Sequence, residues 1–126
     1  MKPVIRSILI IDDSPADQLL TQMTIEKYDK NITILQAYDG REGLSILAAE
    51  QAPPDIILLD INMPGMNGHD FLDEYNQSSG SSCVVIMLTS SILARDKEKC
   101  MKYDFVKRYF DKPLEMEHLE DLSGLV

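Results

Sequence analysis

Four places in the chain carry side chains suited to handling a phosphoryl group. Asp12 and Asp13 follow the aliphatic run Ile8-Leu9-Ile10-Ile11, and Asp60 follows Ile56-Ile57-Leu58-Leu59. Thr89 follows Val84-Val85-Ile86-Met87-Leu88, and Lys112 stands before Pro113, just past an apolar stretch ending at Phe110. Three carboxylates held close repel one another and cannot all stay ionised without a counter-charge. A hard divalent cation resolves that repulsion. Mg2+ prefers octahedral oxygen, keeps several waters, and takes one or two carboxylates together with a phosphate oxygen. A lysine ammonium is a compact cation for phosphate, and a threonine hydroxyl donates a hydrogen bond to it. Phosphoryl transfer needs mostly positioning and charge neutralisation, and a carboxylate can itself be the acceptor, as an aspartyl phosphate. Taken singly, each residue has a plainer reading: adjacent acids make a solvated loop, threonine is a common strand residue, and a lone lysine is surface. The aspartates and Thr89, however, stand at the ends of apolar runs, and Lys112 stands just past a segment rich in aromatic and β-branched residues.

Those runs are the elements that must position them. Five segments rich in β-branched and aliphatic residues are predicted as strands: Ser7–Ile11, Ile32–Tyr38, Asp55–Leu59, Cys83–Leu88 and Phe105–Phe110. The first, third and fourth are nearly continuous apolar runs, as expected where both faces of a parallel sheet are covered. Helical spacing lies between them. Ala16, Leu19, Leu20 and Met23 predict one apolar face, with Ser14 as N-cap and Pro15 as first helical residue. Further stripes are Leu44, Leu47 and Ala48, then Phe71, Leu72 and Tyr75, then Ile92, Leu93, Cys100 and Met101. Leu114, Met116, Leu119 and Leu122 predict a short fifth helix. Strand and helix alternate five times, which predicts an α/β, doubly wound five-stranded parallel sheet with helices on both faces. Ligands of such sheets bind beyond the carboxyl ends of the strands, where the candidate residues stand. The stretch from Asn76 to Ser82 reads as an ordinary loop.

Composition narrows the class. The chain has 126 residues, enough for one domain, and a formal net charge of −9. Such a field repels phosphate backbones and anionic lipid, so direct binding to nucleic acid or membrane is not expected. No apolar run is long enough for a spanning helix, and Met1 to Arg6 lacks an apolar signal core, so a cytoplasmic location is expected. Cys83 and Cys100 read as buried small hydrophobes, not as a disulfide or metal site. Met23, Met87 and Met101 read as core filling, and Lys97, Glu98, Lys99 and Lys102 as a solvated helix face. His69 and His118 match no motif and are expected to be exposed.

Four motifs, in this order and each at a predicted strand end, resemble the receiver domains of two-component response regulators, the family of the bacterial chemotaxis response regulator. They are Leu9-Ile10-Ile11-Asp12-Asp13, Leu58-Leu59-Asp60-Ile61-Asn62-Met63-Pro64-Gly65-Met66-Asn67-Gly68, Leu88-Thr89-Ser90-Ser91 and Asp111-Lys112-Pro113. The resemblance covers roughly Ser7 to Leu122. It implies a flavodoxin-like sheet with strand order 2-1-3-4-5 and one receiver domain over 1–126, with no output domain in this chain. It implies that Asp60 is the phosphoacceptor, that Asp13 binds Mg2+ directly with Asp12 assisting through water, and that the Asn62 backbone carbonyl is a further ligand. Thr89 and Lys112 would bind phosphoryl oxygens, Tyr109 would be the aromatic that turns inward with Thr89, and Lys112-Pro113 would be cis. Asn62 and Ser91 would tune loss of the phosphoryl group.

The resemblance further implies a phosphoacceptor protein catalysing only its own phosphorylation and dephosphorylation. Its donor would be a sensor histidine kinase or histidine phosphotransfer protein, its target an unknown downstream protein, and its state a monomer or a weak phosphorylation-linked dimer. Three departures stand out. The span from Thr89 to Lys112 is about one residue longer than the family's, Tyr103-Asp104 replaces a small-residue turn, and Asp111 puts a carboxylate beside Lys112. Two other classes are weighed. A haloacid-dehalogenase-type phosphohydrolase wants Asp-x-Asp where this chain has Asp60-Ile61-Asn62. A nucleotide-binding flavodoxin-like protein wants a glycine-rich phosphate loop, which the sequence lacks.

Overall fold

Where the apolar runs are continuous the strands lie in the middle of the sheet, and where they thin out the strands lie at its edges. The computed structural model describes residues 4–49, 52–78 and 83–126. Its strands are β1 (Ser7–Ile11), β2 (Thr33–Ala37), β3 (Ile56–Leu59), β4 (Val84–Thr89) and β5 (Val106–Asp111), all parallel in the order β2-β1-β3-β4-β5. Every residue of β3 is buried, and so are all but the first of β1 and of β4, whereas β2 and β5 are mostly half-buried.

Side chains alternate between the two faces, as the period of two in a strand requires. Leu9, Ile11, Ile57, Leu59, Val85 and Met87 form one core with Phe71, Leu72, Tyr75 and Cys100. Ile8, Ile10, Ile56, Leu58, Ile86 and Leu88 form the other with Ile25, Leu119 and Leu122. Helices α2 (Gly40–Ala49), α3 (Gly68–Gln77) and α4 (Ala94–Met101) therefore cover one face, while α1 (Pro15–Tyr28) and α5 (Met116–Ser123) cover the other. Truncating a fully buried core side chain such as Leu58 to alanine would cost about 2–5 kcal/mol.

Local chemistry sets the helix starts. Ser14 caps α1, its hydroxyl accepting from the Asp17 N–H at 3.2 Å, with Pro15 in the first turn. Asn67 and Asp70 cap α3 reciprocally. Two glycines shape the loop behind Asp60. Gly65 has φ +71°, and a Cβ on Gly68 would lie 2.5 Å from the Asp60 carbonyl oxygen, so only glycine lets α3 start so close to the end of β3. The Lys112-Pro113 bond is cis.

Several expectations need correction. The α1 helix is rotated from the predicted phase: Leu19, Leu20 and Met23 are each more than half exposed, and the buried side chains are Gln18, Thr21 and Ile25. The reason is that the first two turns of α1 lie against the polar ends of β1 and β2, where a carboxamide finds backbone carbonyls and a leucine would not. The α4 helix starts only at Ala94, leaving Ile92 and Leu93 exposed ahead of it and Cys100 as its buried residue, with Met101 exposed. Of the three methionines read as core, only Met87 is buried. Ala48 and Met116 are exposed too, and α3 runs on through Asn76 and Gln77. The rest of the expected loop, 79–82, lies outside the described residues.

Opposite the Val85/Ile86 step, the β5 register passes from Val106 to Arg108, skipping Lys107. That irregularity absorbs one residue between Thr89 and Lys112. Both cysteines are buried. Neither histidine is exposed: His69 bonds to Asp96, and His118 stacks on Phe110 with ring centroids 4.1 Å apart.

Candidate functional site

The carboxyl ends of the strands are held level by backbone bonds. The Asp12 N–H donates to the Ala37 carbonyl and the Asp60 N–H to the Ile11 carbonyl, each at 3.0 Å, and the Lys112 N–H donates to the Thr89 carbonyl at 3.1 Å. Four strand ends and the start of the loop after β5 are thus fixed along one rim. Asp12, Asp60 and Thr89 are buried there, while Asp13 is more open.

Asp12, Asp13 and Asp60 each place a carboxylate oxygen within 4.8 Å of the other two. Lys112 Nζ lies 2.7 Å from Asp12 Oδ2, 2.8 Å from Asp17 Oδ2 and 3.1 Å from Asp60 Oδ2. An ammonium has three N–H groups, so all three are taken. The remaining oxygens of Asp12 and Asp60 are also held: Asp12 Oδ1 accepts from the Ser14 N–H at 3.0 Å, and Asp60 Oδ1 from the Ile61 N–H at 2.8 Å. Four carboxylates then face one ammonium, which leaves negative charge uncompensated. Burial pushes the Asp12 carboxyl above its ordinary value, against the opposing pull of Lys112 and the Ser14 N–H. Burial also pulls the Lys112 ammonium down, but its bonds to Asp12 and Asp17 and the charge of Asp60 outweigh that and hold it well above its usual value. The donor set, all hard oxygen with surplus negative charge, fits a divalent cation of the Mg2+ type.

The Thr89 and Tyr109 side of the rim has its own bonds. The Thr89 hydroxyl oxygen accepts from the Ser91 N–H at 3.2 Å, and Tyr109 Oη donates to the Ser91 carbonyl at 3.4 Å. Tyr109 is half-buried, and that burial raises its phenol above the usual range. Asn62 is exposed on the loop after Asp60, and Asp111 is exposed beside Lys112.

Two residues of this rim escape the sequence reading. Asp17, in the first turn of α1, supplies the fourth carboxylate. Acids in first turns ordinarily complement the helix dipole; the signal missed is that a helix starting two residues after Asp13 must border the same pocket. Gln18 is 1% exposed and its amide nitrogen lies 3.2 Å from the Ile10 carbonyl, 3.1 Å from that of Asp12 and 2.8 Å from that of Ala37. It ties α1 to the ends of β1 and β2.

Comparisons with known proteins bear on the family and the fold. A family profile described as "Response regulator receiver domain" matches residues 8–123. Protein PilH of Pseudomonas aeruginosa is 29% identical over 112 residues, covering 89% of each chain. A 113-residue segment is 32% identical to the sensor histidine kinase CheAY of Helicobacter pylori, covering 89% of this chain and 14% of that one. A two-component response regulator from Cytophaga hutchinsonii superposes with a TM-score of 0.86 at 32% identity over 96% of both chains. With a profile spanning nearly its whole length and a fold that superposes over 96% of the chain, the chain belongs to the response regulator receiver domains of two-component signalling.

Proposed function

We propose that Asp60 is the phosphoacceptor of this receiver. In the transfer, the N–P bond of a donor phosphohistidine breaks, an O–P bond to an Asp60 carboxylate oxygen forms, and the imidazole leaves. Lys112, already 3.1 Å from Asp60, would pair with a phosphoryl oxygen, and the Thr89 hydroxyl with another. Asp12, Asp13, Asp60 and the Asn62 backbone carbonyl would hold Mg2+, which when bound neutralises charge on the carboxylates and the incoming phosphoryl group. The added charge at Asp60 favours a packing in which Thr89 moves toward it and Tyr109 follows, and a partner that prefers this packing reads the state. Asn62 and Ser91 tune the rate at which phosphate is lost.

The donor is a sensor histidine kinase or phosphotransfer protein, a reading supported by the likeness to a segment of CheAY. The chain acts as a single receiver domain over 1–126 that turns over no substrate beyond its own phosphoryl group. It works in the cytoplasm; no helix among the described residues is long and apolar enough to cross a membrane.

The observation that carries this reading is the convergence of Asp12, Asp13 and Asp60 within 4.8 Å of one another beneath the Lys112 ammonium. Incubation with acetyl phosphate or beryllofluoride tests it. Modification requiring Mg2+ in the wild type and absent from Asp60→Ala is expected; persistent modification of the variant would move the acceptor elsewhere.

A further inference from the structure

A second polar cluster lies beside the first. His69 opens α3, Asp96 sits in the first turn of α4, and Ser91 lies between β4 and α4. His69 Nε2 is 2.9 Å from Asp96 Oδ1, and Ser91 Oγ donates to Asp96 Oδ2 at 2.6 Å. Each oxygen of one carboxylate is therefore taken by a donor from a different part of the fold. A ring nitrogen facing a carboxylate carries a proton, so Nε2 is the donor to Asp96, while Nδ1 lies 3.8 Å from Cys100 Sγ. The His69 and Asp96 side chains are 16% and 17% exposed, too little for water to compete as it does at an open surface pair. The bonds from Ser91 and His69, in that order, hold the Asp96 carboxyl below its ordinary range.

Ser91 is the joint between this cluster and the switch. Its N–H donates to Thr89 Oγ1 and its carbonyl accepts from Tyr109 Oη, while its hydroxyl is committed to Asp96. A movement of Thr89 toward Asp60 that carries Ser91 with it pulls on the Ser91 bond to Asp96. Three residues from β4, β5 and the loop are thereby fastened through a single serine to a carboxylate that α3 holds in place.

We propose that Asp96 and His69 are positioning residues that latch Ser91, and through it Thr89 and Tyr109, in the arrangement of the unphosphorylated chain. The inference rests on the phosphoacceptor reading above. A latch that favours the resting packing lowers the apparent affinity for a phosphoryl mimic by the fraction of chain it withholds, and removing it restores that affinity.

The test is beryllofluoride binding with Mg2+ to the full chain, read by the aromatic NMR signals of Tyr109. His69→Ala and Asp96→Ala are expected to bind roughly fivefold or more tightly than wild type. Their Tyr109 signals in the unliganded state should lie displaced along the line from free to bound wild type. His69→Gln, whose amide keeps a donor toward Asp96, should return to wild-type affinity. In a Ser91→Ala background, where the joint is already cut, His69→Ala should add nothing, the non-additivity expected of residues acting as one unit. Asp96→Leu, which keeps volume and offers no acceptor, serves as the second variant should alanine loosen the fold, and is expected to bind as tightly as Asp96→Ala. Unchanged or weaker binding in the folded variants, with wild type binding and Asp60→Ala not, overturns the latch alone. Absence of binding in the wild type overturns the phosphoacceptor reading and the latch together.

Discussion

Asp12 and Asp96 stand on the same rim, yet their carboxyl groups are shifted in opposite directions. Asp12 shares one ammonium with Asp17 and Asp60, and burial outweighs its donors. Asp96 has a hydroxyl and an imidazole N–H to itself, and the donors outweigh burial. The first cluster is left short of positive charge, which suits it to a divalent cation. The second is complete within the chain. On the roles proposed above, the site that takes up ligands is built with a deficit and the one that holds a resting conformation is built without one.

Removing Lys112 breaks this comparison most strongly. Lys112→Met leaves Asp12 and Asp60, side chains 5% and 8% exposed, without their counter-ion. Breaking a buried pair from one side should cost about 3 kcal/mol in metal-free urea denaturation. Added MgCl2 should return part of that loss, because the carboxylates left behind are those suited to a dication. The parallel deletion, His69→Ala, should cost only about 1 kcal/mol, and MgCl2 should return none of it. Equal rescue of both variants would erase the distinction between the clusters.

Gln18 sharpens the comparison from below. Its amide serves carbonyls of β1, β2 and Asp12 itself. Gln18→Leu replaces the amide with apolar atoms and takes one donor from each of those carbonyls, of which that of Ala37 keeps the Asp12 N–H, so a loss of about 1 kcal/mol is expected. Metal titration of the variant should show weakened binding, since the turn presenting Asp12 and Asp13 loses its tie. Full stability with full metal affinity would make Gln18 mere filling.

The opposite shifts also give opposite pH slopes. A raised carboxyl binds its proton more tightly in the folded chain, so the Asp12 contribution falls away as pH rises from the ordinary aspartate value toward the raised one. A lowered carboxyl contributes above the ordinary value, and the Asp96 contribution is lost as pH falls through its depressed one. In metal-free denaturation across the acid range, Asp12→Asn should therefore steepen the acid loss of stability and Asp96→Asn should flatten it. Slopes that change in the same direction would mean that the two carboxyls share one environment.

How far these features were legible in the sequence follows from what signals each. The strand cores announced themselves because Ile8 to Ile11, Ile56 to Leu59 and Val84 to Leu88 are covered on both faces, and the strand-end acids stood out against them. The phase of α1 did not, because its inward face is built from Gln18 and Thr21 while Leu19, Leu20 and Met23 look outward. Apolar periodicity assumes that a helix lies on apolar ground, and α1 begins over backbone carbonyls. Asp17 was hidden by the many bland reasons for an acid in a first turn. His69 and Asp96, 27 positions apart, left no local pattern, since their pairing depends on how α3 and α4 come together on the sheet.

Asp17 carries the smallest expected effect and draws the comparison most finely. It is a partner of Lys112 at 2.8 Å, but its side chain is 37% exposed, and water screens it as it does not screen Asp12. Asp17→Asn should change stability by less than about 1 kcal/mol. It should nonetheless free one of the three ammonium N–H groups that a phosphoryl oxygen must otherwise compete for. Beryllofluoride binding should tighten by a few-fold at most, within what less than about 1.4 kcal/mol allows. The same substitution tests whether the fourth carboxylate belongs to the charge deficit or only borders it. If binding tightens, Asp17 is a competitor held at the edge of the pocket. If the mimic no longer binds at all, Asp17 is one of the groups that hold it, and the pocket extends into the first turn of α1.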